Sequence, residues 1–475
     1  MSARIRHFAP GCAALLGACS LAPKYDVPVT PEVAAYKEAG AWMPAAPADT
    51  QPRGPWWEAF GDPQLNELQE QLREGSQGLR GAVARYEQAR AIARRAHAEL
   101  YPTLAVSGSA IREKNSANAP LANGVSTTGN DFTAAAGLAW EIDLFGRLRN
   151  AAAAAGDRAQ ASAADLAALD LSLRSELATD YFSLRGADAT LQLLEATVQD
   201  YDRAYELTRN RYAGGIAAAT DVDQAQTQRQ SARAQLAAVR LQRAQFEHAI
   251  AVLLGHPPSD FSLQAAPFVG EPPPLGAGLP STLLQRRPDI ASAERAVAAA
   301  NADIGVARAA WFPVFALGGA IGYEATESSA WFEAPSRFWS AGPAAVVPVL
   351  DFGRRSSDTR RAHAVYDEAV AAYRQAALTA YQEVEDNLAA LHHLADALKA
   401  DEAAAASAQR SAYHADRRYT AGVADYIEVT TTHTAALLAQ RAALETRVQR
   451  MTAAIGLVRA LGGGWTPEQL DKPVL

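Results

Sequence analysis

The chain has 475 residues, with 44 Lys and Arg against 52 Asp and Glu, a formal net charge of −8. That balance supplies no basic footprint for nucleic acid, and two cysteines give no disulfide framework. The hydrophobic fraction is 49%, much of it alanine, which favours helix and lets helices approach closely.

Residues 1–18 read as a secretion signal, with Arg4 and Arg6 as a positive start and Phe8 to Gly17 as an apolar core. Leu16-Gly17-Ala18-Cys19 resembles the lipobox of bacterial lipoproteins, so Cys19 is expected to carry an N-terminal lipid. Ser20 is not the Asp of an inner-membrane retention signal, which favours sorting to the outer membrane. Losing Arg4 and Arg6 takes the net charge from −8 to −10, and Cys12 leaves with the signal. No thiol then remains for a metal, a nucleophile or a disulfide. Residues 19–62, rich in Pro, Gly and Ala, are expected to be an extended segment lying on the outside. No later stretch is long and apolar enough for a transmembrane helix.

From residue 63 the chain repeats itself. Arg211-Tyr212 through Asp221-Val222 matches Arg418-Tyr419 through Glu428-Val429, and Phe145-Gly146-Arg147 matches Phe352-Gly353-Arg354, both at an offset of 207 residues. Tyr101-Pro102 matches Phe312-Pro313 at an offset of 211, so a polar loop between Pro102 and Phe145 absorbs the difference. The two repeats are placed at 63–270 and 271–461, with a tail at 462–475, and collinear matching on this scale implies pseudo-symmetry. Glu271-Pro-Pro-Pro274 reads as linker.

Each repeat opens with a helix, near 64–100 and 282–311, closed by its aromatic-Pro pair. Two strands follow in each. Phe132, Ala134, Ala136, Leu138, Trp140, Ile142 and Leu144 alternate with polar or small residues, as a barrel strand requires. The runs 103–112, 314–323 and 337–350 are the other three predicted strands. A very long helix comes next, carrying Leu177, Tyr181, Leu184 and Leu191 in the first repeat and Val384, Leu388, Leu391 and Leu398 in the second. This spacing near 3.5 predicts coiled-coil packing over roughly 60 residues, longer than globular helices run. Gly214, Gly215 and Gly422 end these helices at turns, and return helices follow. The fold class is therefore α+β, with an internal duplication.

Four strands cannot close a membrane barrel, which needs about eight, and open edges are not tolerated in lipid. Several copies must contribute, eight strands from a dimer or twelve from a trimer.

The segments Trp56-Trp57 through Asp62-Pro63-Gln64-Leu65, Arg287-Pro288-Asp289-Ile290, the two hairpin turns and Leu461-Gly462-Gly463-Gly464-Trp465 resemble the outer-membrane efflux factor family. These are TolC-like channels, here of the lipidated, NodT-type subgroup. The resemblance implies a homotrimer with a twelve-stranded β-barrel in the outer membrane, continuous with a periplasmic α-helical coiled-coil barrel. It further implies a periplasmic membrane-fusion adaptor and an inner-membrane transporter as partners, with export of drugs or other toxic small molecules. A non-conducting periplasmic scaffold and a type I secretion duct are the alternatives.

Catalytic motifs are missing from the sequence: there is no Gly-x-Ser-x-Gly, no phosphate-binding loop and no His-Glu-x-x-His. No enzyme activity, cofactor or metal is expected. Adjacent His392 and His393 do not share a helix face, and Asp351-Phe352-Gly353-Arg354 is expected at a strand-to-helix junction. Function in a duct belongs where it narrows. Asp221 and Asp223 follow the first turn, Asp425 and Glu428 the second, and in a trimer each forms a ring of three charges. Such rings favour cations and support salt-sensitive gating, with Arg211, Arg417 and Arg418 as partners within one or two turns. The alternative is that the acids cap the returning helices. Gly214, Gly215 and Gly422 would present the tips to the adaptor. One departure stands out: Val429-Thr430-Thr431-Thr432-His433 replaces the Leu-Leu-Asp-Ala-type run common in the family, so the acid expected near Thr431 is absent.

Overall fold

The computed structural model describes residues 20–31, 35–39, 55–118, 124–268, 270–273 and 286–465. Cys19 and the signal, most of the 271–285 linker and the tail beyond 465 fall outside the described residues.

In chain order the elements are α1 (Pro63–Gly75), α2 (Gln77–Ala98), β1 (Thr103–Lys114), β2 (Thr128–Ile142), α3 (Arg147–Ala213) and α4 (Ala219–Leu253). The second repeat supplies α5 (Pro288–Ala309), β3 (Val314–Ala325), β4 (Arg337–Val346), α6 (Arg354–Thr420) and α7 (Tyr426–Ala460). The duplication holds to the residue: both ends of α2 and β1 recur in α5 and β3 at 211, and both ends of α3 and α4 recur in α6 and α7 at 207.

Several boundaries differ from expectation: β1 and β3 run two residues beyond 112 and 323, and β2 spans 128–142 where 132–144 is predicted. The helix near 64–100 is two helices, because Ser76 adopts an extended backbone and accepts a hydrogen bond from the Leu79 N–H at 3.4 Å. In the second repeat the helix spans Pro288–Ala309, and the predicted start at 282 lies outside the described residues. The strand predicted to reach 350 ends at Val346, shortly before Pro348, which has no N–H to donate to a ladder.

The chain forms two compact units, each built from both repeats. The first unit, with 86–162 and 293–373, holds one antiparallel sheet in the order β1-β2-β3-β4. Its register pairs Leu104 with Leu138, Leu138 with Gly319, and Gly319 with Ala341. Leu104, Val106, Leu138, Trp140, Leu317, Ile321 and Trp339 therefore share one face. The other face carries Ser107, Ser109, Thr133, Ala135, Gly137, Gly322 and Ser340. A side chain at Gly322 would overlap the Ala134 carbonyl oxygen, so close strand approach requires glycine there. In the same unit the segment from Ser20 is fastened down: Ser20 donates to Asn150 Oδ1 at 2.9 Å, Asn301 to the Pro23 oxygen at 2.9 Å, and Tyr25 bonds Glu294.

The second unit contains the helical hairpins and the main apolar core. Ala377, Val384, Leu391, Leu398, Ala405, Ala412 and Tyr419 recur every seven residues along α6 and are all buried, the seam of a coiled coil. Trp56 and Trp57 enter the core beside Leu65, Leu177 and Tyr181. Asp62 caps α1 through the N–H groups of Gln64 and Leu65, and accepts the Tyr181 hydroxyl at 2.7 Å. Buried Arg287 pairs with Asp289 and Glu383, both at 2.6 Å, and donates to the Ala460 oxygen at 3.1 Å.

Candidate functional site at the hairpin turns

Both long helices end in the same way. Gly215 takes φ 72° and Gly422 φ 77°, left-handed values that glycine adopts without strain. The Gly215 N–H reaches the Tyr212 oxygen at 2.9 Å and the Ile216 N–H the Arg211 oxygen at 2.8 Å, closing a Schellman cap. The second turn repeats this, Gly422 to Tyr419 and Val423 to Arg418, both at 3.0 Å. Gly214 is not left-handed, and its N–H bonds the Asn210 oxygen at 3.0 Å, continuing the helix. Each cap leaves an apolar side chain in solvent at the turn, Ile216 at 76% exposure and Val423 at 66%.

The acids divide by environment. The Asp221 carboxylate accepts the Ala218 N–H at 3.2 Å, so it closes the first turn of α4; Ala218 has no side-chain oxygen to return the bond. Asp223 is exposed and has no side-chain partner among the described residues. Asp425 holds the N-cap position of α7 with an extended backbone, but its exposed carboxylate makes no capping bond. Glu428 pairs with Arg418 at 2.6 Å.

The matching pair in the first repeat, Arg211 with Asp221, does not form. Arg211 instead crosses to the second hairpin, donating to the Tyr419 main-chain oxygen at 3.2 Å with its guanidinium 4.6 Å from the Tyr419 ring centre. Arg417 likewise meets an aromatic residue, donating to the Tyr413 hydroxyl at 3.1 Å. Around Tyr419 lies a small apolar cluster of Ala225, Ala415, Tyr426 and Val429. Burial, and then the neighbouring Tyr419 phenol, push the Tyr426 hydroxyl up to about 12.

Further contacts were not anticipated from sequence. His433 Nε2 lies 2.9 Å from both carboxylate oxygens of Asp416, joining α6 to α7 within the Thr-rich stretch that lacks the family's acid. Thr208 Oγ1 is 3.4 Å from the Tyr419 hydroxyl. Asp202 accepts from Arg229 and Arg233 at 2.6 and 2.9 Å; burial works against it, but these bonds hold its carboxyl below the usual range. Asp351 behaves as the junction reading expects, accepting N–H bonds from Gly353 and Arg355 at the start of α6.

No group of acids, histidines or cysteines with metal-site geometry occurs among the described residues, and no described helix is long and apolar enough to cross a membrane.

Comparison with known proteins places this architecture. The model of the outer membrane efflux protein family matches residues 68–256 and 279–463, one block in each repeat. The chain is 33% identical over 460 residues to the pyoverdine export outer membrane protein OpmQ of Pseudomonas aeruginosa, covering 96% of both chains. It is 32% identical over 461 residues to the cation efflux system protein CusC of Escherichia coli, covering 96% of this chain and 98% of that one. Among solved structures, the outer-membrane channel OprN aligns with a TM-score of 0.87 at 30% identity, over 94% of this chain and all of that one. The chain belongs to the outer membrane efflux protein family and is an outer-membrane channel component of efflux.

Proposed function

We propose that three copies of this chain close a twelve-stranded barrel and a helical tunnel that together form a passive exit duct. The duct accepts small toxic molecules from a periplasmic membrane-fusion adaptor and an inner-membrane transporter, performs no catalysis, and is anchored by lipid on Cys19. The observation that carries this reading is the two-faced sheet. Val106, Ile321 and Trp339 are 83%, 65% and 77% exposed on one face, while the other is mostly serine, threonine, alanine and glycine, with the carboxylates Glu113, Asp131, Glu141 and Glu324. That division suits lipid outside and water inside. Strands β1 and β4 each have one unpaired edge, and four strands per copy reach closure only by joining others. The relatives' names, a toluene efflux pump outer membrane protein among them, support small-molecule export.

In this arrangement the helix-connected ends of the strands face the periplasm, and the opposite ends, with residues 115–118, 124–127 and 326–336, face outside. The hairpin turns form the inner aperture, where Asp221, Asp223, Asp425 and Glu428 become rings of charge and Gly215 and Gly422 present the tips to the adaptor.

The test is single-channel conductance of the purified protein in a planar bilayer, beside an Asp221→Ala/Asp223→Ala double variant. Discrete openings that grow in the variant support a duct narrowed by these acids. Openings unchanged in the variant keep the duct and reduce the acids to helix caps. Silence from both proteins removes the channel and leaves a periplasmic scaffold.

A further inference from the structure

We propose that the external rim of the barrel binds the phosphate groups of an anionic outer-leaflet lipid. Each site is assembled at a seam between neighbouring copies, from Arg112 and Lys114 of one and Arg337 of the next. The inference rests on the closed-barrel reading above.

The strands sort their charges by face. Arg112 pairs with Asn130, Lys114 with Thr128 and Arg337 with Tyr323, which sets all three cations on the apolar face of Val106, Ile321 and Trp339. Glu113, Asp131, Glu141 and Glu324 all fall on the opposite face. On their own face of the sheet, the three cations therefore meet no carboxylate. Charges kept only for solubility would be mixed on both faces, and these are not.

Their depth and placement point to the ligand. All three lie within the last three residues at the loop end of their strands, Arg112 and Lys114 ending β1 and Arg337 opening β4. Cations on a lipid-facing surface are costly at the midplane and far less so near the interface, so the rim is where they are tolerated. Arg337 lies 5.8 Å from the Tyr323 ring centre, an aromatic residue at headgroup level. The inner strands β2 and β3 carry no cation. Both edge strands do, and closure sets β4 of one copy beside β1 of the next, gathering three cations at each seam. Guanidinium binds phosphate oxygens in a bidentate fashion, and ammonium adds a point charge. The exposed Val106 and Trp339 below offer acyl chains an apolar bed, which free phosphate does not use. The occupant is accordingly a phosphorylated, acylated lipid.

The test uses the detergent-purified trimer and native mass spectrometry with diphosphorylated lipid A, dephosphorylated lipid A and inorganic phosphate. Wild type should retain up to three diphosphorylated lipids per trimer. Retention should fall at least tenfold for the dephosphorylated lipid and for an Arg112→Gln/Lys114→Gln/Arg337→Gln variant, and stay unchanged in Glu113→Gln/Glu324→Gln. Single-channel openings of the cation variant should match wild type, showing an intact barrel; if the triple variant fails to assemble, Arg337→Gln alone should still lower retention. Equal retention of both lipids, or competition by inorganic phosphate at millimolar concentration, overturns the lipid site and leaves the duct standing. A wild-type protein that never forms trimers removes the seam and the barrel reading together.

Discussion

Arg211 of the first hairpin grips Tyr419 of the second, through the main-chain oxygen at 3.2 Å and over the ring at 4.6 Å. The symmetry-related cation, Arg418, instead pairs with Glu428 of its own hairpin. The duplicated turns have thus diverged in what their arginines do: one ties the two hairpins together, the other braces a single turn.

Removing these cations should have unequal effects. Arg211→Ala loses a hydrogen bond and a cation–π contact, together about 1–2 kcal/mol, which is about a 5- to 30-fold shift between hairpin arrangements. Arg418→Ala removes a surface ion pair worth about 0–1 kcal/mol and weakened by salt. If the tie narrows the aperture, bilayer recordings should show larger or more frequent openings in Arg211→Ala than in Arg418→Ala, with the difference persisting in 1 M salt at a Debye length of about 3 Å. Equal behaviour of the two variants would mean that the tie has no part in gating.

The turn glycines allow a separate test. A Cβ at Gly215 or Gly422 meets nothing within 4 Å, so substitution is opposed by backbone strain and not by crowding. Valine at a left-handed φ costs about 1–2 kcal/mol or more. Gly215→Val and Gly422→Val should leave the trimer intact on a native gel while weakening crosslinking to the adaptor and lowering drug tolerance of the host. Full efflux in both variants would sink tip docking.

In the second unit, Asp188 receives Arg185 at 2.9 Å and Arg243 at 2.6 Å and also accepts the Ala266 N–H at 3.2 Å, with its side chain 2% exposed. Asp188→Asn leaves two guanidinium groups short of their carboxylate. The expected loss is about 3–5 kcal/mol, read as a lower heat-dissociation temperature of the trimer. A variant as heat-stable as wild type would show that Gln264, Leu263 and Glu247 satisfy the arginines without Asp188.

Much of this architecture was legible because the repeat carries it. The offsets of 207 and 211 locate the duplicated elements, and period two in Phe132 to Ile142 identifies a strand before any register is known. The break at Ser76 was not legible, since serine is tolerated inside helices and only its local cap reveals the turn. The ion pairs across the hairpins were partly recoverable. Asp188 and Arg243, like Asp202 and Arg229, are centred on the bond between Gly215 and Ile216, and Asp416 with His433 and Glu402 with Arg447 share one centre between Ala424 and Asp425. Facing residues in an antiparallel hairpin are equidistant from its turn, so placing Gly215 nominates the first two pairs, whereas the other two centre two residues beyond Gly422 and do not follow from its position alone. The Arg211 contact with Tyr419 escapes that rule because it joins two hairpins, and nothing in local spacing marks it.

Asp180 gives a prediction with a definite pH window. Burial first, and then the like charge of Glu176 one turn earlier, raise its carboxyl to about 6. A folded-state value above the unfolded one, about 3.9, means that the native state holds the proton more tightly. Its favourable contribution is complete below about pH 3.9 and is lost as pH rises through about 6. Above that, the folded chain carries an ionised carboxylate in a poorly solvated position. Asp180→Asn removes this burden without changing side-chain size. Its heat-dissociation temperature should therefore exceed that of wild type at pH 7.5, and the gap should shrink or vanish at pH 4. Glu176→Gln should reproduce a smaller part of the same gain, because it removes the repulsion and leaves the desolvation. A gap of the same size at both pH values would show that Asp180 is not the group being titrated, and a gap larger at pH 4 would reverse the sign of the linkage.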